Sequence, residues 1–179
     1  GWTPLDQISP AAREVILAAE DRRFRDHGGI DWWSLGGSIR DRIEGKRARG
    51  ASTLSMQVAG YLSPGLAAPG HRSSWDKLRQ MRAANALESR WTKDQILEAY
   101  LNMAGFRGEA QGIGAAALGL FGKTPAALTR DDALLLAALL PEPGASAQKL
   151  SQRACALSRD ADCSRFLPAA ISMLGPARS

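Results

Sequence analysis

The sequence predicts an all-α domain, and three observations lead to that class. Signals for helix starts recur along the chain, apolar residues repeat three or four positions apart, and strand patterns are weak, with no internal repeat. The chain has 179 residues, of which 45% are hydrophobic. This length and composition suit one domain with a substantial core and exclude a disordered chain.

The first two predicted helices each begin at a serine. Ser9 is placed to cap a helix whose first position is Pro10, and this helix is expected to run to about His27, where Gly28 ends it. Ser34 is expected to cap the second helix, because apolar side chains follow it at four-residue spacing.

A third helix is predicted to begin near Ser52, and a loop rich in Pro, Gly and Ala follows it at residues 63–73. A long helix is expected over residues 75–90. Thr92 begins the next helix and forms a capping box with Gln95.

The chain after residue 110 predicts two further core helices. Residues 112–122 alternate small and apolar side chains, which indicates tight packing. Thr129 starts the next helix, with two aspartates in its positive first turn, and Pro141 ends it. The apolar run at residues 133–140 is shorter than the roughly 18 residues that span a bilayer.

The net charge of +5 narrows the classes of partner. A basic surface suits nucleic acid, anionic lipid or a phosphorylated ligand. The sequence has no zinc-finger spacing, no aromatic-rich RNA-binding signature and no uniformly basic helix, so we expect no nucleic-acid partner.

Glu20 begins the segment that carries the strongest candidate for catalysis. If the first helix continues as predicted, Glu20, Phe24 and His27 lie on one of its faces. A carboxylate at the rim of an apolar surface suits a general base or acid. The residues alone leave a second interpretation open, a solvated helix end with Phe24 in the core.

This segment resembles the first signature of the family 51 glycosyltransferases. These are the peptidoglycan glycosyltransferase domains of bifunctional penicillin-binding proteins and their monofunctional relatives. The family pattern is Glu-Asp-x-x-Phe-x-x-His-x-Gly-x-Asp, and three further blocks follow in the family's order. The residues that match the first pattern are Glu20, Asp21, Phe24, His27, Gly29 and Asp31.

A second block begins where Ser52 and Thr53 start a helix. The N–H groups of such a helix start can bind phosphate. The alternative is an ordinary helix cap behind a solvated basic loop. The basic residues of that loop are Lys46, Arg47 and Arg49.

The same block resembles the family's second signature, Gly-Gly-Ser-Thr-Leu-Thr-x-Gln. Ser52, Thr53 and Gln57 match it directly. The family commonly has Lys or Arg at the position of Gly60 and Asn at that of Tyr61. This chain therefore lacks one possible substrate-binding cation.

The third block surrounds Lys77, and its cations would ordinarily form a solvated helix face. The family's usual pattern is Arg-Lys-x-x-Glu, of which this chain keeps only the lysine. Asp76 stands at the arginine position and Gln80 at the glutamate position. Arg79 is expected to supply the missing cation. The combination resembles the penicillin-binding protein 1C branch, which makes the departure a trait of a subgroup.

The fourth block covers residues 96–123, and most of it is expected to build the core beneath the site. Within it, Arg107 is the expected ligand contact. Residues 128–141 resemble the fifth signature, which we interpret as structural. Together the resemblance covers about residues 2–145.

The resemblance implies a single glycosyltransferase domain over residues 1–179, with a compact lysozyme-like helical fold and a smaller membrane-proximal lobe. It implies polymerisation of lipid II into β-1,4-linked glycan strands, with inversion at the anomeric carbon and release of undecaprenyl pyrophosphate. Glu20 is then the catalytic base. The substrate-binding residues are expected to be Asp21, Phe24, His27, Ser52, Thr53, Gln57, Lys77, Arg79, Gln80 and Arg107.

The resemblance also implies partners and a location. Lipid II, the growing glycan strand and a membrane surface are the expected partners, at the extracytoplasmic, periplasmic face of the bacterial inner membrane, with an anchor expected upstream of Gly1. A divalent cation is compatible with pyrophosphate departure, but the sequence shows no carboxylate cluster and indicates no metal site. In that compartment we expect Cys155 and Cys163, in the tail at 146–179, to form a disulfide rather than two free thiols.

Two other functions stay open. Because Asp76, Gln80 and Gly60 depart from the family's pattern, the first alternative is a catalytically weak paralogue that binds lipid II. The second is a lysozyme-like glycosidase. The basic blocks disfavour the glycosidase, because a neutral leaving group needs no phosphate-binding site.

Overall fold

The computed structural model describes residues 1–45, 52–63 and 74–175. α-Helices dominate this part of the chain, with one small pair of strands, which confirms the predicted all-α class. The basic residues Lys46, Arg47 and Arg49 and nearly all of the predicted loop at 63–73 lie outside the described residues.

Within the described residues, one short β-hairpin accompanies the helices. The strands β1 (Gly105–Arg107) and β2 (Ala110–Gln111) are antiparallel, with Gly105 opposite Gln111. Within the described residues, no helix is long and apolar enough to cross a bilayer. The helices are α1 (Pro10–Glu20), α2 (Trp32–Ile43), α3 (Leu54–Leu62), α4 (Ser74–Glu88), α5 (Lys93–Met103), α6 (Gly112–Phe121), α7 (Arg130–Leu139), α8 (Ala147–Ser158) and α9 (Phe166–Leu174).

The chain forms two compact units, residues 1–20 with 101–179, and residues 21–100. The core of the first unit is α7, in which residues 132–139 are all buried. This helix packs against α1 and α8, and α9 packs against α8. The prediction of a core helix after Thr129 is therefore confirmed.

In the second unit, α3 packs against α4. Leu54, Met56 and Val58 of α3 are buried, as are Phe24 and Tyr100 of the same unit. This core positions the first, second and third blocks of the sequence, because all three contribute residues to the second unit.

Three helix starts were predicted correctly from their capping residues. Ser9 Oγ accepts a hydrogen bond from Ala12 N at 3.0 Å, as an N-cap does. Thr92 and Gln95 form the predicted capping box, in which each side chain accepts from the other's backbone N–H. Thr129 caps α7 in the same way, with the side chain of residue 132 as its partner.

The cap of α2 was predicted wrongly. Asp31, not Ser34, caps this helix, since Asp31 Oδ1 accepts from the N–H groups of Trp33 and Ser34 at 3.0 and 3.1 Å. Ser34 Oγ donates to Asp31 Oδ2 at 2.6 Å. A carboxylate is the stronger acceptor at the positive end of a helix, so the serine becomes a donor to it.

The end of α1 was also predicted wrongly. The helix ends at Glu20, and the next residues form turns in which Phe24 N donates to Asp21 O at 2.9 Å. Glu20, Phe24 and His27 therefore do not share one helical face. The positive backbone angle, φ of 76°, belongs to Gly29 rather than Gly28.

Gly29 has a steric reason to be a glycine. A Cβ at this position would lie 2.5 Å from Asn85 Oδ1 and 3.0 Å from Asn85 N. The close approach of α4, together with the positive φ, makes any larger residue strained here. The turn after Glu20 is thus shaped by contacts distant in sequence.

Cys155 of α8 and Cys163, in the turn before α9, are joined by a disulfide with a Cα–Cα distance of 5.4 Å. The expected pairing is confirmed. Nearby, Arg165 donates to Asp131 Oδ2 at 2.8 Å, which ties the same turn to the start of α7. Residues 146–175, the described part of the tail, therefore belong to the first unit.

Candidate active site

Asp21 joins the first and second blocks. Its side chain is buried, and its Oδ2 accepts from Leu54 N, the first residue of α3, at 3.0 Å. Its Oδ1 lies 2.9 Å from His27 Nε2, which is the donor because a carboxylate only accepts. An internal anion thus occupies the positive end of α3.

The start of α3 is less open to an external phosphate than predicted. Besides Leu54 N, which Asp21 holds, Met56 N donates to Thr53 Oγ1 at 3.2 Å. The prediction of free N–H groups is therefore wrong for Leu54 and Met56. The physical reason is that the first block supplies its own carboxylate to this helix end.

Thr53 fastens the second block to the first. Its hydroxyl donates to the carbonyl oxygen of Gly29 at 2.6 Å, and the residue is buried. With Asp21 and Leu54, this gives the turn after Glu20 two direct hydrogen bonds to α3 or its cap.

Phe24 and His27 are part of the turn after Glu20. Phe24 is fully buried, which favours the interpretation of it as a core residue, and its contact with substrate stays a prediction. The ring of His27 meets it edge-on, at 6.3 Å between centroids and 76° between planes. His27 Nδ1 is buried and has no hydrogen-bond partner among the described residues.

Asp21, His27 and Asp31 form a cluster that the sequence analysis did not recognise, with ligand-type atoms within 4.8 Å of one another. Burial would raise the pKa of Asp31, but hydrogen bonds from Ser34 and the charge of Arg23 lower it below its usual value. Every carboxylate oxygen of the two aspartates already accepts a hydrogen bond from the protein. We therefore assign the cluster to holding the turn.

Lys77 of the third block contacts Ser52 of the second block. Lys77 Nζ donates to Ser52 Oγ at 2.6 Å, and both residues are partly exposed. Arg79, two positions along α4, is exposed, and Gln57 on α3 is partly exposed. These four residues remain accessible to a ligand.

Gln80 is a structural residue. It is buried, and its Nε2 donates to Met56 O at 2.9 Å. An ionised glutamate has no proton to donate to that carbonyl, so the family's usual residue would not make this bond. A Cβ at Gly60 would lie 3.4 Å from Gln80 Nε2, so two departures from the family's pattern lie side by side.

Four of the predicted substrate-binding residues are buried. Their polar atoms make internal hydrogen bonds, or their rings lie in the core, and their contact with substrate stays a prediction. They are Asp21, Phe24, Thr53 and Gln80.

Sequence reasoning missed a contact between Lys93 and Glu88. Lys93 Nζ donates to Glu88 Oε1 and to His27 O, both at 2.6 Å, and lies 4.3 Å from the centroid of the Phe24 ring. Glu88 Oε1 also accepts from Ser55 Oγ at 2.5 Å. The available signal was a lysine at the first position of a helix, where a cation is disfavoured.

The remaining predicted residues belong to the first unit. Glu20 is the last residue of α1 and is partly exposed. Arg107 of β1 donates to the carbonyl oxygens of Pro143 and Ala145 at 3.0 and 3.1 Å. Arg107 therefore holds the loop that contains Pro143 and Ala145, and its contact with a ligand stays a prediction.

Comparison with known proteins gives a consistent result. The family described as transglycosylase matches residues 1–162. A protein named biosynthetic peptidoglycan transglycosylase from Pasteurella multocida (strain Pm70) is 40% identical over 143 residues, covering 79% of this chain and 56% of its own length. Relatives of the same name from Aeromonas hydrophila and Rhodospirillum centenum are each 41% identical, covering 79% of this chain and 59% and 60% of their own lengths.

The chain thus spans less than two thirds of the length of these relatives. The matched residues nevertheless include all the sequence blocks and nearly all of both units. On these grounds the chain belongs to the transglycosylase family.

Proposed function

We propose that this chain is a peptidoglycan glycosyltransferase that polymerises lipid II into β-1,4-linked glycan strands. Its place in the transglycosylase family supports the reaction class. The proposal rests chiefly on one observation in the first block. Asp21, which follows Glu20 directly, is buried and bonds to the start of α3. The chain thereby keeps both the acid and an ordered backbone directly after it.

In the proposed mechanism, Glu20 removes the proton from the 4-hydroxyl of the acceptor sugar. The oxygen attacks the anomeric carbon of the donor from the face opposite the leaving group, and the C–O bond to undecaprenyl pyrophosphate breaks. One inversion converts the α linkage of the donor into a β-1,4 bond. A positioned base of this kind contributes roughly 10²- to 10⁴-fold in rate.

The leaving pyrophosphate requires positive charge and hydrogen-bond donors. We assign this duty first to Lys77 and Ser52, which lie within hydrogen-bond distance of each other, and then to the exposed Arg79. Charged donors of this type stabilise the developing charge on phosphate oxygens. Gln57 and Arg107 keep their predicted roles in binding substrate, whereas His27 donates to Asp21 and supports the site through the turn.

The test of the function is polymerisation of labelled lipid II in detergent, with products resolved by size. We expect a ladder of glycan strands, and we expect moenomycin, an inhibitor of this family, to abolish it. Binding of lipid II without polymer would favour the catalytically weak paralogue. Release of fragments from preformed glycan, without lipid substrate, would instead favour the glycosidase.

Of these alternatives, the weak paralogue rests on the departures at Gln80, Asp76 and Gly60. Gln80 is buried and makes a hydrogen bond that suits its amide. The departure at Gly60 lies against the same side chain. We therefore regard the two departures as one local exchange of packing and do not favour the weak paralogue.

We further propose that the second unit is the membrane-proximal lobe and acts at the extracytoplasmic face of the membrane. Trp32, Trp33 and Ile43 of α2 are 65%, 78% and 81% exposed, and Trp75 of α4 is 72% exposed. Tryptophan and aliphatic side chains of this kind favour the interface of a bilayer. The disulfide in the first unit agrees with an oxidising compartment.

Flotation with vesicles that contain phosphatidylglycerol tests this orientation. We expect the double variant Trp33→Ser, Ile43→Ser to bind such vesicles at least about fivefold more weakly, because it removes two exposed apolar anchors. The matched control is Leu118→Ser on α6 of the first unit, which removes a side chain that is 70% exposed. Equal losses for the control and the double variant would contradict the assignment of the second unit to the membrane.

A further inference from the structure

The contact between Lys93 and Glu88 has no role in the mechanism above. We propose that Lys93 is a positioning residue, whose ammonium group holds residues 21–31 in the geometry that glycan synthesis requires. This inference rests on the proposed function and adds a residue to it.

Lys93 stands where helix electrostatics disfavour a cation. It is the first residue of α5, and the N-terminus of a helix carries positive partial charge. Its side chain is only 22% exposed and that of Glu88 only 12%. A lysine held in such a place needs compensating contacts that a solvated lysine does not need.

The compensating contacts are made to the first block. Lys93 Nζ donates to the backbone carbonyl of His27 at 2.6 Å and lies 4.3 Å from the centroid of the Phe24 ring. One cation thus contacts both the backbone and a core side chain of the segment at 21–31. Charge-assisted bonds to a carbonyl and a ring face are stronger than their neutral counterparts.

Glu88 completes the connection to the second block. Its Oε1 accepts from Lys93 Nζ at 2.6 Å and from Ser55 Oγ of α3 at 2.5 Å. The segment at 21–31 therefore has three attachments to α3 or its cap. Two are direct, through Asp21 and Gly29, and the third runs through Lys93 and Glu88.

The same contacts argue against direct binding of substrate by Lys93. Its ammonium donates to two oxygens and faces an aromatic ring, so its capacity is largely used inside the unit. Its effect on the reaction is exerted through the segment that begins at Asp21, the residue bonded to Glu20. Loss of Lys93 is therefore expected to lower turnover and to leave the affinity for lipid II nearly unchanged.

The test compares Lys93→Met with the wild type. We expect turnover to fall about 10- to 100-fold with the dissociation constant for lipid II changed less than about threefold, because small misplacements near reacting groups cost up to about 10² in rate. Lys93→Arg should restore most of the turnover, since it keeps the cation. The matched control is Lys149→Met, which breaks a surface lysine–glutamate pair with Glu142 in the first unit and should leave turnover unchanged.

A second measurement reports the geometry of residues 21–31 independently of enzymatic activity. The amide ¹⁵N resonance of Gly28 reports the hydrogen bond to the His27 carbonyl, because both belong to the same peptide group. It should shift in Lys93→Met and in Glu88→Gln, and stay in place in Lys149→Met. An unshifted Gly28 resonance in Lys93→Met overturns the positioning role even if lipid II polymerisation by the wild type fails and the proposed function falls.

Two kinetic outcomes also overturn the inference while leaving the proposed function intact. One is turnover of Lys93→Met at the wild-type rate. The other is a loss of lipid II affinity as large as the loss of turnover, which would make Lys93 a substrate contact. If Lys93→Met does not fold, the test uses Glu88→Gln, which keeps the lysine. We expect this variant to show both the loss of turnover and the shift of the Gly28 resonance. Normal turnover in Glu88→Gln would then overturn the inference.

Discussion

Replacing Glu20 by glutamine is expected to lower polymerisation of lipid II about 10³-fold, in the middle of the range for removal of a general base. The amide is close in size to the carboxylate but cannot take up the proton of the acceptor hydroxyl. The measurement is the initial rate of strand synthesis, together with the unfolding temperature and the affinity for lipid II. Both of the latter should stay near their wild-type values.

The position of Glu20 in the fold is the reason to expect an intact structure. It is the last residue of α1, where a carboxylate faces the negative end of the helix dipole. Neutralising it there costs the helix no favourable charge interaction with its own dipole. A large loss of stability in Glu20→Gln would therefore mean that the acid is structural.

The control for this prediction lies on the same helix. Glu14 is exposed on α1, and Glu14→Gln makes the same chemical change away from the first block. We expect it to polymerise lipid II at the wild-type rate. Turnover by Glu20→Gln close to that of Glu14→Gln would remove Glu20 from the mechanism.

The helix starts and the core helix that were predicted correctly depend on local interactions. The caps at Ser9, Thr92 and Thr129 each bond a backbone N–H three residues away, so a short window of sequence contains both partners. The core helix α7 is similar, because its apolar run needs no knowledge of the rest of the chain. The resemblance to a known family was also carried by short, ordered motifs.

The incorrect predictions concern residues whose partners are distant in the sequence. α1 was predicted too long because the carboxylate of Asp21 binds Leu54 N, 33 positions along the chain, and Thr53 binds the carbonyl of Gly29, 24 positions away. Local helix propensity gave no sign of either partner. Such long-range hydrogen bonds override weak local preferences.

The hydrogen bond from Lys93 to His27 was missed for the same reason. This acceptor is a backbone carbonyl 66 positions away, and a carbonyl leaves no mark in the sequence. Ile39 and Ile43 show what the spacing of apolar residues can and cannot predict. Their four-residue spacing predicted a helix correctly, but it did not reveal that both side chains are exposed, at 53% and 81%.

Replacing Lys77 by alanine is expected to lower the specificity constant for lipid II about 10- to 100-fold, through both affinity and turnover. A hydrogen bond to a charged group contributes about 1.5–3 kcal/mol, which corresponds to a loss of this size. The measurement is the rate of strand synthesis across lipid II concentrations, with direct binding of lipid II. Lys77→Arg should recover part of the loss because it keeps the charge.

The internal partner of Lys77 supplies the control that separates binding from structure. Lys77 Nζ donates to Ser52 Oγ at 2.6 Å, so Ser52→Ala removes that hydrogen bond and leaves the ammonium group in place. If Lys77 acts on pyrophosphate, Ser52→Ala should be several-fold less damaging than Lys77→Ala, and the difference should shrink as salt screens the charge. Arg22→Ala removes an exposed cation from the same unit and should leave the affinity for lipid II and the rate of strand synthesis unchanged. Equal defects in Ser52→Ala and Lys77→Ala, or unchanged affinity and rate in Lys77→Ala, would place this lysine in the support of α3 instead of at the leaving group.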